Sequence, residues 1–265
     1  MGLISLLKGA FTELLRDPKL FIPKMLSVTV FIPPYLALAQ ITAELARNPA
    51  SAAGLVDQAN TLTLIVLLMA PIWIFIDSMY PVLVQQRAER GKLDFVAAAK
   101  HVLVRFLKIF LAFFAILVLF FVVNIPFTLL ISLGMVTQML PVVAVGIIGA
   151  VAVMFAGGIL LYFVPTTIIL ERTGIVNAFK AGFSLSRQNF SLVFWLTLFS
   201  FAVLFFGFYA EGAFQGLGTI GFIIGRYVGG IVAVYLYVVN PSAYLELKEG
   251  EKPAPAEKRA KKRRR

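Results

Sequence analysis

The chain is 265 residues long, 60% apolar and only 14% charged, with a formal net charge of +11 and no cysteine. Soluble domains carry roughly a quarter charged residues, so the composition excludes an ordinary globular protein. The missing thiols exclude disulfides and thiolate chemistry.

A spanning helix needs about 20 apolar residues to cross a hydrocarbon layer roughly 30 Å thick. Six segments meet that requirement, at about 20–43, 61–84, 106–131, 141–169, 191–211 and 217–239. They are strings of Leu, Ile, Val, Phe and Ala without the strict alternation of a barrel strand. Each must therefore satisfy its own backbone as a helix. The expected fold is all-α, a polytopic bundle of six transmembrane helices.

The polar stretches between these segments differ in charge. Lys and Arg number 4 in residues 1–24, 1 in 45–60, 6 in 85–108 and 3 in 171–189, with 9 in 248–265 and none in 132–141 or 211–218. Positive charge stays on the cytoplasmic side during insertion. The alternation predicts a multi-pass protein of the plasma membrane with both termini inside, and it accounts for the basic balance without nucleic acid.

The cytoplasmic edges repeat. Gly2-Leu3-Ile4-Ser5-Leu6-Leu7-Lys8-Gly9-Ala10-Phe11-Thr12 matches Gly174-Ile175-Val176-Asn177-Ala178-Phe179-Lys180-Ala181-Gly182-Phe183-Ser184, and a weaker copy starts at Gly91 with Asp94 in the place of Ser5 and Asn177. Pro81, Pro165 and Pro241 precede Gly91, Gly174 and Gly250 by nine or ten residues. This spacing predicts a 1–247 membrane domain of three tandem hairpin repeats, about 1–88, 89–171 and 172–247, with 248–265 as a tail. Each repeat is expected to open with a cytoplasmic amphipathic helix lying in the headgroup plane. In the second, Leu93, Val96, Ala97, Val104 and Leu107 form the apolar face, while Lys92, Lys100, Arg105 and Lys108 supply charge toward anionic lipid. The three prolines are expected to bend or end their helices, and Pro71, Pro126 and Pro33-Pro34 to kink theirs.

Few polar side chains lie at membrane depth. Asp77, Asn124 and Arg226 are candidates for an intramembrane polar site between spans two, three and six, or for a structural clamp, with Glu211 as the competing partner of Arg226. Gly221, Gly225, Gly229 and Ala233 form a ridge of small residues that admits another helix closely, either within the fold or at a homo-oligomer seam. Gly212 and Gly216 extend that ridge backwards. His101 is the sole histidine, which argues against a metal site. No cofactor is expected, and no phosphate loop, nucleophile elbow or catalytic carboxylate pair occurs in the sequence.

The tail ends in Lys258, Arg259, Ala260, Lys261, Lys262, Arg263, Arg264 and Arg265 after a Pro/Ala linker. Such a cluster is expected to be disordered and to meet anionic lipid headgroups, with ribosomal RNA as a second partner class.

The segment Glu171-Arg172-Thr173-Gly174-Ile175-Val176-Asn177-Ala178-Phe179-Lys180-Ala181-Gly182-Phe183-Ser184-Leu185-Ser186-Arg187-Gln188-Asn189 resembles the loop and helix of a broad family of six-span prokaryotic membrane proteins. That family is related to the membrane domain of glycerophosphodiester phosphodiesterases. The resemblance implies three helical hairpins with interfacial helices and carries over no catalytic residue. The expected function is a non-enzymatic membrane protein that organises lipids or a membrane partner through its basic face. The alternative is a small transporter or channel.

Overall fold

The computed structural model describes residues 2–47, 52–171 and 173–251. It is helical throughout and contains six helical stretches long and apolar enough to cross a membrane. The protein is an all-α, membrane-type bundle.

An amphipathic helix α1 (Leu3–Arg16) leads through a tight turn at Pro18–Phe21 into α2 (Ile22–Arg47). Then come α3 (Ala52–Asp77), α4 (Met79–Arg90), α5 (Phe95–Val136), α6 (Leu140–Leu160), α7 (Val164–Leu170), α8 (Ile175–Gln188), α9 (Phe190–Ala213) and α10 (Gly218–Glu251). The pairs α2–α3, α5–α6 and α9–α10 pack side by side as hairpins. The charged positions of α1, α4, α8 and the first turns of α5 gather at one end of the bundle, the basic end.

The buried core also lies toward that end. Its centre is formed by α4, α7 and the last third of α10, where Tyr80, Leu83, Phe163, Ile168, Val238 and Ala243 are fully buried. Each of these segments carries one of the three prolines. Pro81 and Pro165 sit in the first turns of α4 and α7, just after breaks at Ser78 and at Leu161–Phe163. A first turn tolerates Pro because its N–H would be unpaired anyway. At Pro241, by contrast, α10 runs on through the proline without ending.

Two expectations change. The second amphipathic helix is not separate, because α5 continues from Phe95 to Val136 with its basic turns and its apolar span in one helix. Its register is also three residues later than the sequence match at Gly91 predicts. Gly91 is the left-handed C-cap of α4 with φ +67°, so it closes one helix instead of opening the next. Asp94 is the N-cap of α5, its carboxylate accepting from the Ala97 N–H at 2.8 Å. Asp94 thus corresponds to the N-caps Gly2 of α1 and Gly174 of α8.

In that register the three helices match. The fourth and eighth residues after the N-cap are buried: Leu6 and Ala10, Ala98 and Val102, Ala178 and Gly182. The second and ninth are large, apolar and exposed: Ile4 and Phe11, Val96 and Leu103, Val176 and Phe183. The sixth is an exposed lysine in every case, Lys8, Lys100 and Lys180. At about 100° per residue, each helix presents a protein face and then an apolar outer stripe in the same rotational order; a polar stripe follows on α1 (Ser5, Thr12) and α8 (Asn177, Ser184), whereas α5 has Ala97 and the exposed Val104 there. The lysine lies on the border between the two stripes in α1 and α8 and is flanked by apolar surface in α5.

Candidate functional site

The six-span architecture converges on a cavity of about 370 Å³ just beyond the three prolines, with Pro81, Pro165 and Pro241 all in its lining. Its walls come from α3, α4, α5, α7, α9 and α10, with Tyr162 between α6 and α7. Apolar groups such as Ile74, Phe113 and Leu236 dominate, and the polar members include Asp77, Thr166, Ser200, Tyr237 and Asn240.

Asp77 is the only carboxylate in the lining. Lys24 Nζ lies 3.1 Å from its Oδ2 and 3.3 Å from its Oδ1, with both side chains nearly buried. The Tyr237 hydroxyl donates to the same carboxylate. The ammonium also sits 4.7 Å from the Tyr237 ring centroid and 5.6 Å from that of Trp73, within cation–π range. Behind it, Tyr80 stacks on Tyr237 with centroids 5.1 Å apart and donates to the Leu20 carbonyl at 2.9 Å. A buried charge persists when it is paired and hydrogen-bonded, and this cluster ties α2, α3, α4 and α10 together.

Deeper in the cavity wall, Asn240 bridges two elements. Its Nδ2 donates to the Tyr162 carbonyl at 2.7 Å, and its Oδ1 accepts from the Thr166 hydroxyl. Asn240 precedes Pro241, so this bridge braces the point where α10 crosses its own proline.

The polar residues singled out from the sequence do not form one site. Arg226 does not meet Asp77; its Nη1 lies 3.1 Å from Glu211 Oε2 and its guanidinium stacks 4.5 Å over Tyr35, at the end of the bundle opposite the basic one. Both partners of that pair remain about 30% exposed (31% and 28%). Asn124 turns back on its own helix, donating to the Phe120 carbonyl at 2.8 Å. A polar side chain in lipid needs a partner, and its own helix supplied the nearest one.

The glycine ridge of α10 packs against the end of α9. A Cβ on Gly221 would overlap the Phe214 carbonyl, one on Gly225 would lie 2.9 Å from the Glu211 carbonyl, and one on Gly229 would overlap the Glu211 carboxylate. The ridge is therefore occupied within the fold, Ala233 instead lines the cavity, and Gly212 and Gly216 face open space.

The basic end divides its cations between two tasks. His101 Nε2 lies 3.0 Å from the Ile169 carbonyl, Arg105 donates to the carbonyls of Ile169 and Glu171 at 3.1 and 3.3 Å, and Lys108 donates to that of Thr173. Arg105 and Lys108 thus turn toward the α7–α8 connection, not outward as expected. Cationic side chains there satisfy the orphan carbonyls at the end of α7. On the other side of this end, Glu13 of α1 faces Ser242, Arg87 and Glu246. Burial pushes its carboxyl above the ordinary glutamate range, partly opposed by the Ser242 hydrogen bond and the Arg87 charge. The polybasic residues Lys258 to Arg265 lie outside the described residues.

The sequence reading missed Lys24 and Tyr237. Lys24 lies in the first turn of α2 and was counted with the cytoplasmic cations. Tyr237 stands four residues before Pro241 as Asp77 stands four before Pro81, a shared offset that could have marked it. Comparison with protein-family profiles, with curated proteins and with solved structures returns no match to this chain.

Proposed function

We propose that the protein is a non-enzymatic plasma-membrane protein that organises anionic lipids, or a membrane partner, at a basic cytoplasmic face. One observation carries this reading: Lys8, Lys100 and Lys180 are exposed at the same position on three helices, each beside an exposed apolar stripe. Such a helix fits the boundary between acyl chains and water. Its lysine reaches headgroup phosphates while its stem stays in the apolar layer. The shared pattern supports three tandem repeats, and the segment Glu171–Asn189 adds the likeness to six-span proteins related to the phosphodiesterase membrane domain.

In this reading the charge alternation sets the basic end and both termini in the cytoplasm. The tail cations Lys258, Arg259, Lys261, Lys262, Arg263, Arg264 and Arg265 add attraction to the same face; ribosomal RNA is their alternative partner. A homo-oligomer would need a surface other than the α10 glycine ridge. The transporter reading draws on the cavity, which does lie between α3, α5 and α10. The cavity reaches Asp77 alone among the deep polar candidates and ends on the three prolines, and this supports the organiser.

Retention of lipid by the purified protein tests the reading. Reconstituted with equal anionic and zwitterionic lipid and released for native mass spectrometry, the protein is expected to keep anionic lipid selectively. Each of these lysines contributes about 1 kcal/mol near an anionic surface. The triple Lys8→Gln, Lys100→Gln, Lys180→Gln variant should therefore lose on the order of a hundredfold in anionic selectivity. Unchanged selectivity in that variant rejects the proposal.

A further inference from the structure

The cavity beside Asp77 differs from the basic face in chemistry and stands independently of that reading. It is closed at its inner end by Pro81, Pro165 and Pro241, against segments of the fully buried core. At its other end two lining side chains, Trp73 and Leu204, are 47% and 55% exposed. In a bilayer that mouth faces hydrocarbon, so a guest enters from the lipid phase.

We propose that this cavity binds a single-chain amphiphile with an uncharged, hydroxyl-bearing head, its chain leaving past Trp73 and Leu204. Three observations lead there. A volume of about 370 Å³ is at the small end of ligand pockets and suits one head and the first part of one chain. The carboxylate is already balanced by Lys24 at 3.1 Å, so a neutral guest keeps the buried pair intact. An anion would face Asp77 without a free cation, and a cation would have to displace Lys24. Finally, the capacity left at the inner end is mainly for accepting. Ser200 spends its hydrogen on the Leu196 carbonyl at 2.8 Å and its oxygen also meets the Tyr162 side chain, while Asp77 meets Lys24, Tyr237 and Trp73; a hydroxyl oxygen and a carboxylate so engaged each keep a lone pair. Pro241 has no N–H to give the Tyr237 carbonyl. An acceptor-rich pocket selects a donor, and a neutral donor on a lipid chain is a hydroxyl.

The two tryptophans provide the test. Trp73 lines the cavity mouth, while Trp195, 51% exposed on α9, is not part of the lining and samples bulk lipid. The single-tryptophan variants Trp195→Phe and Trp73→Phe are reconstituted and titrated with dibromostearyl alcohol, dibromostearyl sulfate and dibromostearyl trimethylammonium. These probes share a quenching chain and differ in head charge. The alcohol is expected to quench Trp73 at a mole fraction about tenfold below that needed for Trp195, equivalent to a preference of about 1.4 kcal/mol. The two charged probes should quench both tryptophans at the same mole fraction. Ala233→Phe, which fills the cavity from α10, should abolish the preference in the Trp195→Phe background. Equal quenching of Trp73 and Trp195 by the alcohol overturns the proposal, as does a charged probe matching the alcohol. If Ala233→Phe fails to fold, the probe comparison decides alone; if it folds and the preference survives, the cavity is not the site.

Discussion

At the basic end of the bundle, α4, α7 and the last third of α10 bury Tyr80, Phe163 and Val238 completely. At the opposite end, the α5–α6 hairpin leaves Phe121, Leu129, Leu133 and Ile148 exposed. The distal hairpin is the more apolar of the two in sequence and the less packed. Lipid explains the contrast: acyl chains are as apolar as leucine, so an exposed leucine there costs nothing and gives helices no reason to close on one another. Association needs polar contacts and close fit instead. Those concentrate at the basic end, in the Lys24–Asp77–Tyr237 cluster, the Asn240 bridge and the carbonyl contacts of His101, Arg105 and Lys108. The distal half is held mainly within each hairpin, for example by Gly146 of α6 against α5, where a Cβ would lie 3.0 Å from the Ile131 backbone nitrogen.

Core truncation should break this contrast most strongly. Phe163→Ala is expected to lower stability by about 3–5 kcal/mol, since surrounding helices collapse only partly into the void. Leu129→Ala, at an exposed position of α5, should stay within about 0.5 kcal/mol. Reversible unfolding in detergent compares them, and equal losses would mean that the distal half is as packed as the basic half.

The two ion pairs sharpen the comparison next. Lys24→Ala leaves Asp77 buried without its cation and should cost about 3 kcal/mol. Arg226→Ala removes a pair that is nearly a third exposed, worth about 1 kcal/mol at most. In double-mutant cycles, Lys24 and Asp77 should couple strongly, with Asp77→Asn recovering much of the Lys24→Ala loss, whereas Arg226 and Asp77 should be additive. Coupling between Arg226 and Asp77 would contradict the geometry.

The smallest effect concerns pH at the basic end. Glu13 titrates above the ordinary glutamate range because burial disfavours its charged form. A folded-state value raised above the unfolded one gives stability that is fully present below the unfolded pKa and is lost as pH rises through the folded pKa. Thermal midpoints of the parent should therefore carry a component that falls as pH rises from about 4 toward neutrality. Glu13→Gln should remove that component while leaving the rest of the profile in place. An identical pH slope in both proteins would reject the assignment.

Much of the architecture was legible without coordinates. Six spans follow from composition and length, because a bilayer tests each segment separately for apolar content and for internally satisfied backbone. The three proline landmarks and the amphipathic edges were legible for a related reason, since each is a local pattern. Even the register error at Gly91 had a local cause: a glycine that closes one helix reads like one that opens another. The candidate site was less legible. Asp77 stood out because carboxylates are rare at that depth, yet its partner was sought in Arg226, the only other charge near mid-span, and not in Lys24 at the start of α2.

The sequence by itself determined that this is a six-span helical protein with charge segregated to alternate connections, since insertion and backbone satisfaction depend on each segment's own residues. Only the tertiary structure decided that Asp77 pairs with Lys24 and Tyr237, that Arg226 pairs with Glu211, and that three distant prolines line one cavity. Those choices depend on helix rotation and depth. In lipid they are set by a few close contacts between helices, which no single segment encodes.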